Sequence, residues 1–237
     1  MNDKKISVDK IVEICQGEVV SRGIASTCND FCCDTRLLKK GDTFLALKCE
    51  AENAIKYIED AFEKGAIGCI CECDVPEDII NKNSYKFIIK VKDSVEAIQK
   101  LAEYKRSLYN IPVIAVTGSV GKTSTKEIIA SVVGEVFNVK KNQGNYNNHI
   151  GVPLTILSWD ENTECAVVEM GMNHFGEIEV LTKIAKPTVA VITNVGTAHI
   201  GILGSRENIL KAKMEILDGL QTGGTVVINN DNDLLHT

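Results

Sequence analysis

The chain has 237 residues and 25.9 kDa, with 26 Lys and Arg against 32 Asp and Glu, a formal charge of −6. A composition 44% hydrophobic and 24% charged, with four prolines, excludes a disordered chain, and the acidic balance argues against general nucleic-acid binding. No apolar run reaches the roughly 18–20 residues of a membrane span, and the opening Met-Asn-Asp-Lys-Lys lacks a secretory apolar stretch, so the sequence predicts a cytoplasmic protein.

Along the chain, residues 10–15 read as a short helix and 42–46 as a strand after the turn at Gly41. Residues 54–64 carry helical spacing at Ile55, Ile58 and Phe62, 68–72 and 86–91 read as strands, and 95–108 as an amphipathic helix. Eight of the nine cysteines fall in this stretch: Cys15, Cys28, Cys32, Cys33, Cys49, Cys69, Cys71 and Cys73. Without an export signal a disulfide framework is not expected. Cys69, Cys71 and Cys73 alternate and, on a strand, would share one face as small core residues. Zinc ligation with Cys28, Cys32 and Cys33 is the alternative, but no pair of spaced Cys-x-x-Cys units supports it. Pro112 closes the helix and predicts a boundary between a domain 1–109 and a domain 110–237.

Beyond the boundary the pattern is regular. Strands are expected at 113–116, 166–169, 188–193 and 225–228, with helices at 122–136, 177–185 and 206–217 between them. Short apolar strands alternating with helices predict a parallel sheet covered on both faces. The fold class is therefore α/β: a small N-terminal α/β domain followed by a parallel-sheet domain of the phosphate-loop type.

The strongest motif opens that second domain. An apolar strand runs into Thr117-Gly118-Ser119-Val120-Gly121-Lys122-Thr123-Ser124, and a helix begins at the lysine. Inward-facing N–H groups and a helix N-terminus together bind polyphosphate. Lys122 is placed to meet the terminal phosphates and Thr123 to ligate Mg²⁺, with ATP as the expected nucleotide. The spacing Gly-x-x-Gly-Lys-Thr is two residues shorter than the common form of the loop.

Glu169 ends the next apolar strand, where a carboxylate is costly unless paired or metal-bound. His199 follows the strand after that and is expected on the same sheet edge, with a metal or phosphate role. The polar loop Asn145, Tyr146, Asn147, Asn148 could hydrogen-bond a ligand, and turn chemistry explains its asparagines equally well. Asn148 is assigned to the nucleotide and Asn145 to the substrate.

Together these residues resemble the Mur ligase family, the ATP-dependent amide-forming enzymes of peptidoglycan synthesis. The resemblance rests on the short loop at 118–124 and on Gly-Asn-Tyr-Asn-Asn-His-Ile-Gly-Val-Pro-Leu-Thr at 144–155. It extends through Glu-Met-Gly-Met-Asn-His-Phe-Gly-Glu-Ile at 169–178, Ile-Thr-Asn-Val-Gly-Thr-Ala-His-Ile at 192–200 and Leu-Gly-Ser-Arg-Glu-Asn-Ile-Leu-Lys-Ala-Lys-Met-Glu-Ile at 203–216. Asp-Thr-Arg-x-x-x-x-Gly-Asp-Thr-Phe-Leu-Ala-Leu at 34–47 is similar to the family's uridine-nucleotide-binding domain.

The resemblance implies a two-step ligation. A carboxylate of UDP-N-acetylmuramoyl-tripeptide takes the γ-phosphate of ATP, and the amine of D-alanyl-D-alanine then displaces phosphate. It implies Lys122 on the β/γ-phosphates, Thr123 on one Mg²⁺, and Glu169 and His199 at a second metal site. Lys213, with Lys211 as its rival, falls where the family carries a carbamoylated lysine, and Asp34, Thr35 and Arg36 fall where it contacts the uridine diphosphate; a surface ion pair explains Asp34 and Arg36 equally. After Leu47 the chain reads Lys-Cys-Glu-Ala-Glu, where the family usually continues toward an Asp-Gly-His motif. The family also adds a third domain, so a chain ending at Thr237 is expected to be a fragment or a truncated product, with apolar sheet surface that disfavours a soluble monomer. The alternatives are a catalytically silent nucleotide-binding module and a related ligase acting on another carboxylate.

Overall fold

The computed structural model describes residues 4–28, 30–47 and 50–236. The chain forms two compact units, Met1–Lys105 and Arg106–Thr237. Among the described residues no helix is long and apolar enough to cross a membrane.

The first unit runs β1 (Ile6–Ser7), α1 (Val8–Cys15), β2 (Glu18–Ser21), β3 (Thr27–Cys28), β4 (Phe31–Cys32), β5 (Thr43–Leu45), α2 (Ala51–Glu63), β6 (Gly68–Cys71), α3 (Glu77–Lys82), β7 (Phe87–Lys90) and α4 (Ser94–Ser107). The Ser7 hydroxyl accepts the Lys10 N–H at 3.1 Å, which starts α1 one residue after β1 ends. The main sheet has the order β2-β7-β6-β5-β4, parallel except for β2, while β1 and β3 form a separate antiparallel pair. Its core joins Ile58, Ala61 and Phe62 of α2 to Phe44, Cys69, Cys71 and Ile88 of the sheet. Cys69 and Cys71 lie on β6, fully buried, whereas Cys73 lies past the strand end and packs, half-buried, against the same core. Cys49 lies outside the described residues. Lys86 can be buried here because its Nζ donates to the carbonyls of Phe62 (2.6 Å) and Ala66 (2.7 Å), in and just past the last turn of α2.

The second unit runs β8 (Val113–Thr117), α5 (Lys122–Val133), β9 (Val139–Lys141), α6 (Gly151–Leu157), β10 (Cys165–Glu169), α7 (Glu177–Ala185), β11 (Val189–Ile192), α8 (Ile200–Leu203), α9 (Arg206–Met214), a single 3-10 turn (Glu215–Leu217) and β12 (Thr225–Ile228). All five strands are parallel, in the order β12-β11-β8-β10-β9. The all-parallel α/β sheet agrees with the alternation read from sequence. Every residue of β10 is buried, the continuous apolar pattern of a strand covered on both faces.

The chain leaves β8 through α5 to the edge strand β9, returns through α6 to β10, and crosses by α7 to β11 on the other side of β8. The carboxyl ends of β8, β10 and β11 therefore meet where the connections diverge, the place at which open α/β sheets form their crevices. At the opposite end, buried Arg106 donates to the carbonyls of Ala185 (2.6 Å), Tyr109 (2.6 Å) and Lys186 (3.0 Å) and lies 5.9 Å from the Trp159 ring. These bonds fasten the C-terminus of α7 to the start of the unit. The edge strand β12 leaves Val226, Val227 and Ile228 40–50% exposed, at 44%, 47% and 41%.

Several expected elements differ in extent: the helix expected at 54–64 begins at Ala51 and the one expected at 10–15 begins at Val8. The helix expected at 122–136 stops at Val133, with Gly134 as its cap, and the helix expected at 206–217 tightens into the 3-10 turn after Met214.

Candidate functional site

The loop after β8 is held by its neighbour across the sheet. The Ser119 N–H donates to the Asn194 carbonyl (3.1 Å), the Val120 N–H to Asn194 Oδ1 (3.1 Å), and the Val120 carbonyl accepts from Thr193 Oγ1 (2.8 Å) and Asn194 Nδ2 (3.0 Å). The Gly196 N–H closes the set on Ser119 Oγ at 2.9 Å. A Cβ on Gly118 would stand 1.9 Å from Thr193 Oγ1, so only glycine permits this approach. Gly121, at φ +78°, is left-handed and turns the chain into α5. Thr117 Oγ1 donates to the Met170 carbonyl at 3.0 Å, tying the strand end to β10. Ser124 lies exposed on the first turn of α5.

Lys122 is half-buried and its Nζ donates to the Gly118 carbonyl at 2.9 Å, folding back over the loop. Thr123 Oγ1 donates to Glu169 Oε2 at 2.9 Å, and Asn147 Nδ2 donates to Glu169 Oε1 at 2.7 Å. Glu169 is 1% exposed, so its carboxylate is withdrawn from water and met by donors on two segments, α5 and the loop before α6. Lys126, also on α5, adds an ion pair rather than a hydrogen bond, its Nζ standing 3.9 Å from Glu169 Oε2. Asn142, also 1% exposed, brackets the Glu169 peptide: its Oδ1 accepts the Glu169 N–H at 2.9 Å and its Nδ2 donates to the Glu169 carbonyl at 2.9 Å and to the Tyr146 carbonyl at 2.8 Å.

His199 caps α8 in a left-handed conformation at φ 67°. Burial, with the positive charges of Lys213 and Lys122 nearby, lowers its pKa and favours the neutral imidazole. Lys213, on α9, is 2% exposed; burial, then the Lys122 charge, pulls its ammonium down to about 8. Lys211 is exposed on the same helix. Two residues after Lys213, Glu215 accepts the N–H groups of Gly176 (2.8 Å) and Glu179 (3.2 Å), pinning the first turn of α7.

The structure thus brings Thr117, Gly118, Ser119, Val120, Gly121, Lys122, Thr123 and Glu169 to one edge of one sheet, and electrostatics links His199 and Lys213 to Lys122. The three asparagines occupy different positions. Asn147 reaches Glu169, whereas Asn148 Oδ1 accepts the N–H groups of Ile150 (3.1 Å) and Gly151 (2.8 Å) at the start of α6, and Asn145 is exposed. In the first unit Arg36 Nη2 meets Asp34 Oδ2 at 2.6 Å in an exposed ion pair that holds the Asp34 carboxyl down to about 2, and Thr35 is 8% exposed. Lys126 and Asn142 escaped the sequence reading, because nothing near either residue in sequence announces a partner on β10.

The oxygen donors at this edge, the Thr123 hydroxyl and the Glu169 carboxylate, are hard ligands that fit Mg²⁺. Among the described residues no group of three or more His, Cys, Asp and Glu side chains could hold a metal ion without help. Such a site suits a cation that keeps waters and is completed by substrate phosphates.

Comparison with known proteins gives this edge a context. Residues 116–237 match the sequence profile of the Mur ligase middle domain. The chain is 41% identical over 232 residues to the UDP-N-acetylmuramoyl-tripeptide–D-alanyl-D-alanine ligase of Bacillus subtilis, covering 98% of this chain and 50% of that protein. It is 45% identical over 207 residues to the enzyme of that name from Synechocystis, covering 87% and 45% of the two. A crystal structure of MurF from Acinetobacter baumannii superimposes with a TM-score of 0.84 at 31% identity, over 98% of this chain and 50% of that one. MurF ligase of Thermotoga maritima, solved in complex with ADP, gives 0.73 at 36% identity over 86% and 46%. The chain spans about half the length of the curated relatives it matches.

Proposed function

The chain belongs to the Mur ligase family, and from that premise we propose that it serves the ATP-dependent ligation of D-alanyl-D-alanine to UDP-N-acetylmuramoyl-tripeptide. The second unit takes ATP and Mg²⁺, and the first unit takes the uridine nucleotide through Asp34, Thr35 and Arg36. The observation that carries the reading is the 2.9 Å bond between Thr123 Oγ1 and Glu169 Oε2, because it joins the head of the phosphate-loop helix to the buried acid of the neighbouring strand.

Phosphoryl transfer to a carboxylate asks for positioning and charge neutralisation more than for covalent catalysis. The loop N–H groups and the α5 N-terminus receive the β/γ-phosphates, and Lys122 exchanges the Gly118 carbonyl for phosphate oxygens. Thr123 and Glu169 would hold Mg²⁺, which would supply charge neutralisation at the phosphates. Asn147 fixes the second carboxylate oxygen and Asn142 fixes the backbone that carries it. The substrate carboxylate attacks the γ-phosphorus, ADP leaves, and the dipeptide amine then attacks the acyl carbon and expels phosphate.

Lys213 is favoured over Lys211 as the carbamate lysine. With its ammonium at about 8, roughly a quarter of Lys213 is the free amine at pH 7.5. That amine can add to CO₂ with loss of a proton, which converts a buried cation into an anion beside His199. Lys211 is exposed to water on the same helix.

The test is direct. The chain is incubated with ATP, Mg²⁺, UDP-N-acetylmuramoyl-tripeptide and D-alanyl-D-alanine, and the products are weighed by mass spectrometry. The reading expects a UDP-linked pentapeptide with equimolar ADP and phosphate. ADP and phosphate released without pentapeptide, or product formed from a different carboxylate, would overturn the assigned substrates.

A further inference from the structure

One turn beyond Lys122 on α5, Lys126 is fully buried, an expensive place for an ammonium group without acceptors around it. Its Nζ donates to the Asn142 carbonyl at 2.8 Å, lies 3.1 Å from Glu127 Oε1 and stands 3.9 Å from Glu169 Oε2. Glu127 is 46% exposed and shared with Lys141, so water already screens its charge. Glu169 is sealed, and a sealed carboxylate feels a nearby cation far more strongly. The lysine and the acid are also joined through structure: Lys126 holds the Asn142 carbonyl while the Asn142 side chain grips the Glu169 peptide from both sides.

Glu169 is therefore matched by a built-in cation before any metal arrives. A bare divalent ion approaching it meets one carboxylate already paired with Lys126, with Lys122 at the head of the same helix. Nucleotide phosphates bring more negative charge than these two lysines carry, and they engage Lys122. We propose that Lys126 is a positioning residue that reserves Glu169 for a cation arriving with nucleotide phosphates and keeps a free divalent cation out. The proposal rests on the reading of Glu169 as a cation ligand. It gives the site an order of loading, nucleotide and metal together, that the loop and Glu169 alone would not impose.

The experiment titrates Mn²⁺ into the intact chain, with and without ADP, and reads free Mn²⁺ by electron paramagnetic resonance. Wild type is expected to bind Mn²⁺ weakly alone and firmly with ADP. Lys126→Met and Lys126→Gln are expected to tighten nucleotide-free binding by about tenfold, and Lys126→Arg to behave as wild type. Gln keeps a donor for the Asn142 carbonyl, so it remains informative if Met unfolds the chain, and thermal melts establish that each variant is folded. Unchanged or weaker nucleotide-free Mn²⁺ binding in folded Lys126→Gln would overturn the proposal. Glu169→Gln separates the two levels. If it leaves ADP-dependent Mn²⁺ binding intact, the ligand role of Glu169 fails; if it abolishes that binding while Lys126→Gln changes nothing, only the role of Lys126 fails.

Discussion

Gly118 and Thr193 approach so closely that a Cβ on the glycine would lie 1.9 Å from the threonine Oγ1. The phosphate loop is thus shaped from outside, by the segment leaving β11, as much as by its own glycines. Gly118→Ala must push the loop off Thr193 and Asn194. Its expected effect is ADP binding weaker by on the order of a hundredfold, with the fold retained. Calorimetric titration measures it, and adding Thr193→Ala should recover part of the loss, since the nearest obstacle is then gone while the residue 193 Cβ at 3.1 Å and the Asn194 N at 3.3 Å remain.

Lys213 sets a pH dependence. Its folded pKa, about 8, lies below the ordinary lysine value of 10.5, so between those values the unfolded chain binds more protons and stability rises with pH. As pH falls through 8 that contribution is lost, because the buried amine must take up a charge. In buffers free of CO₂, Lys213→Met should stabilise the chain at pH 7 by up to roughly 3 kcal/mol and flatten the rise between pH 8 and 10. Urea melts at pH 7 and pH 10 test both statements.

The main lines of the second unit were legible because its strands are short apolar runs and its loop has an unmistakable glycine-lysine pattern. The α7 bounds, Glu177–Ala185, match the expected helix to the residue, with Gly176 before it and Lys186-Pro187 after it. Elements without a period were missed. β9 is three residues, two of them lysine; α6 is buried on nearly every side, so no polar face betrays a helix, and its proline sits harmlessly in the first turn. β2 is an edge strand with its first residues exposed. At the site, sequence named Glu169 from its place at a strand end but assigned Asn145 and Asn148 to ligands and passed over Asn147, whose amide reaches Glu169. That choice depends on which amide faces β10, a tertiary fact. Lys126 and Asn142 carried no local signal at all, since their meaning lies in a partner 43 residues away for one (Lys126 to Glu169) and 27 for the other.

Arg106 is a stability determinant remote from the site. Truncating it to alanine removes the shared donor of two buried carbonyls, on Tyr109 and Ala185, and of the part-buried Lys186 carbonyl, which keeps Gln221 Nε2 at 3.1 Å. A loss of about 3–5 kcal/mol is expected, readable as a lower denaturation midpoint. Trp159, packed edge-on against Tyr109 at 5.5 Å, is the chain's single tryptophan and reports unfolding of this unit by fluorescence.

The β12 edge carries an association hazard. Val226, Val227 and Ile228 are each more than 40% exposed on a strand paired on one side only, a template for another chain. Self-association at micromolar concentration is expected on sizing, and Val227→Lys should shift the chain toward monomer.

The most direct test of the central claim is the effect of Mg²⁺ on ADP affinity in three proteins: wild type, Thr123→Val and Glu169→Gln. If Thr123 and Glu169 hold the cation against nucleotide phosphates, Mg²⁺ tightens ADP binding in wild type and loses most of that effect in each variant. An equal Mg²⁺ effect in all three would contradict the account.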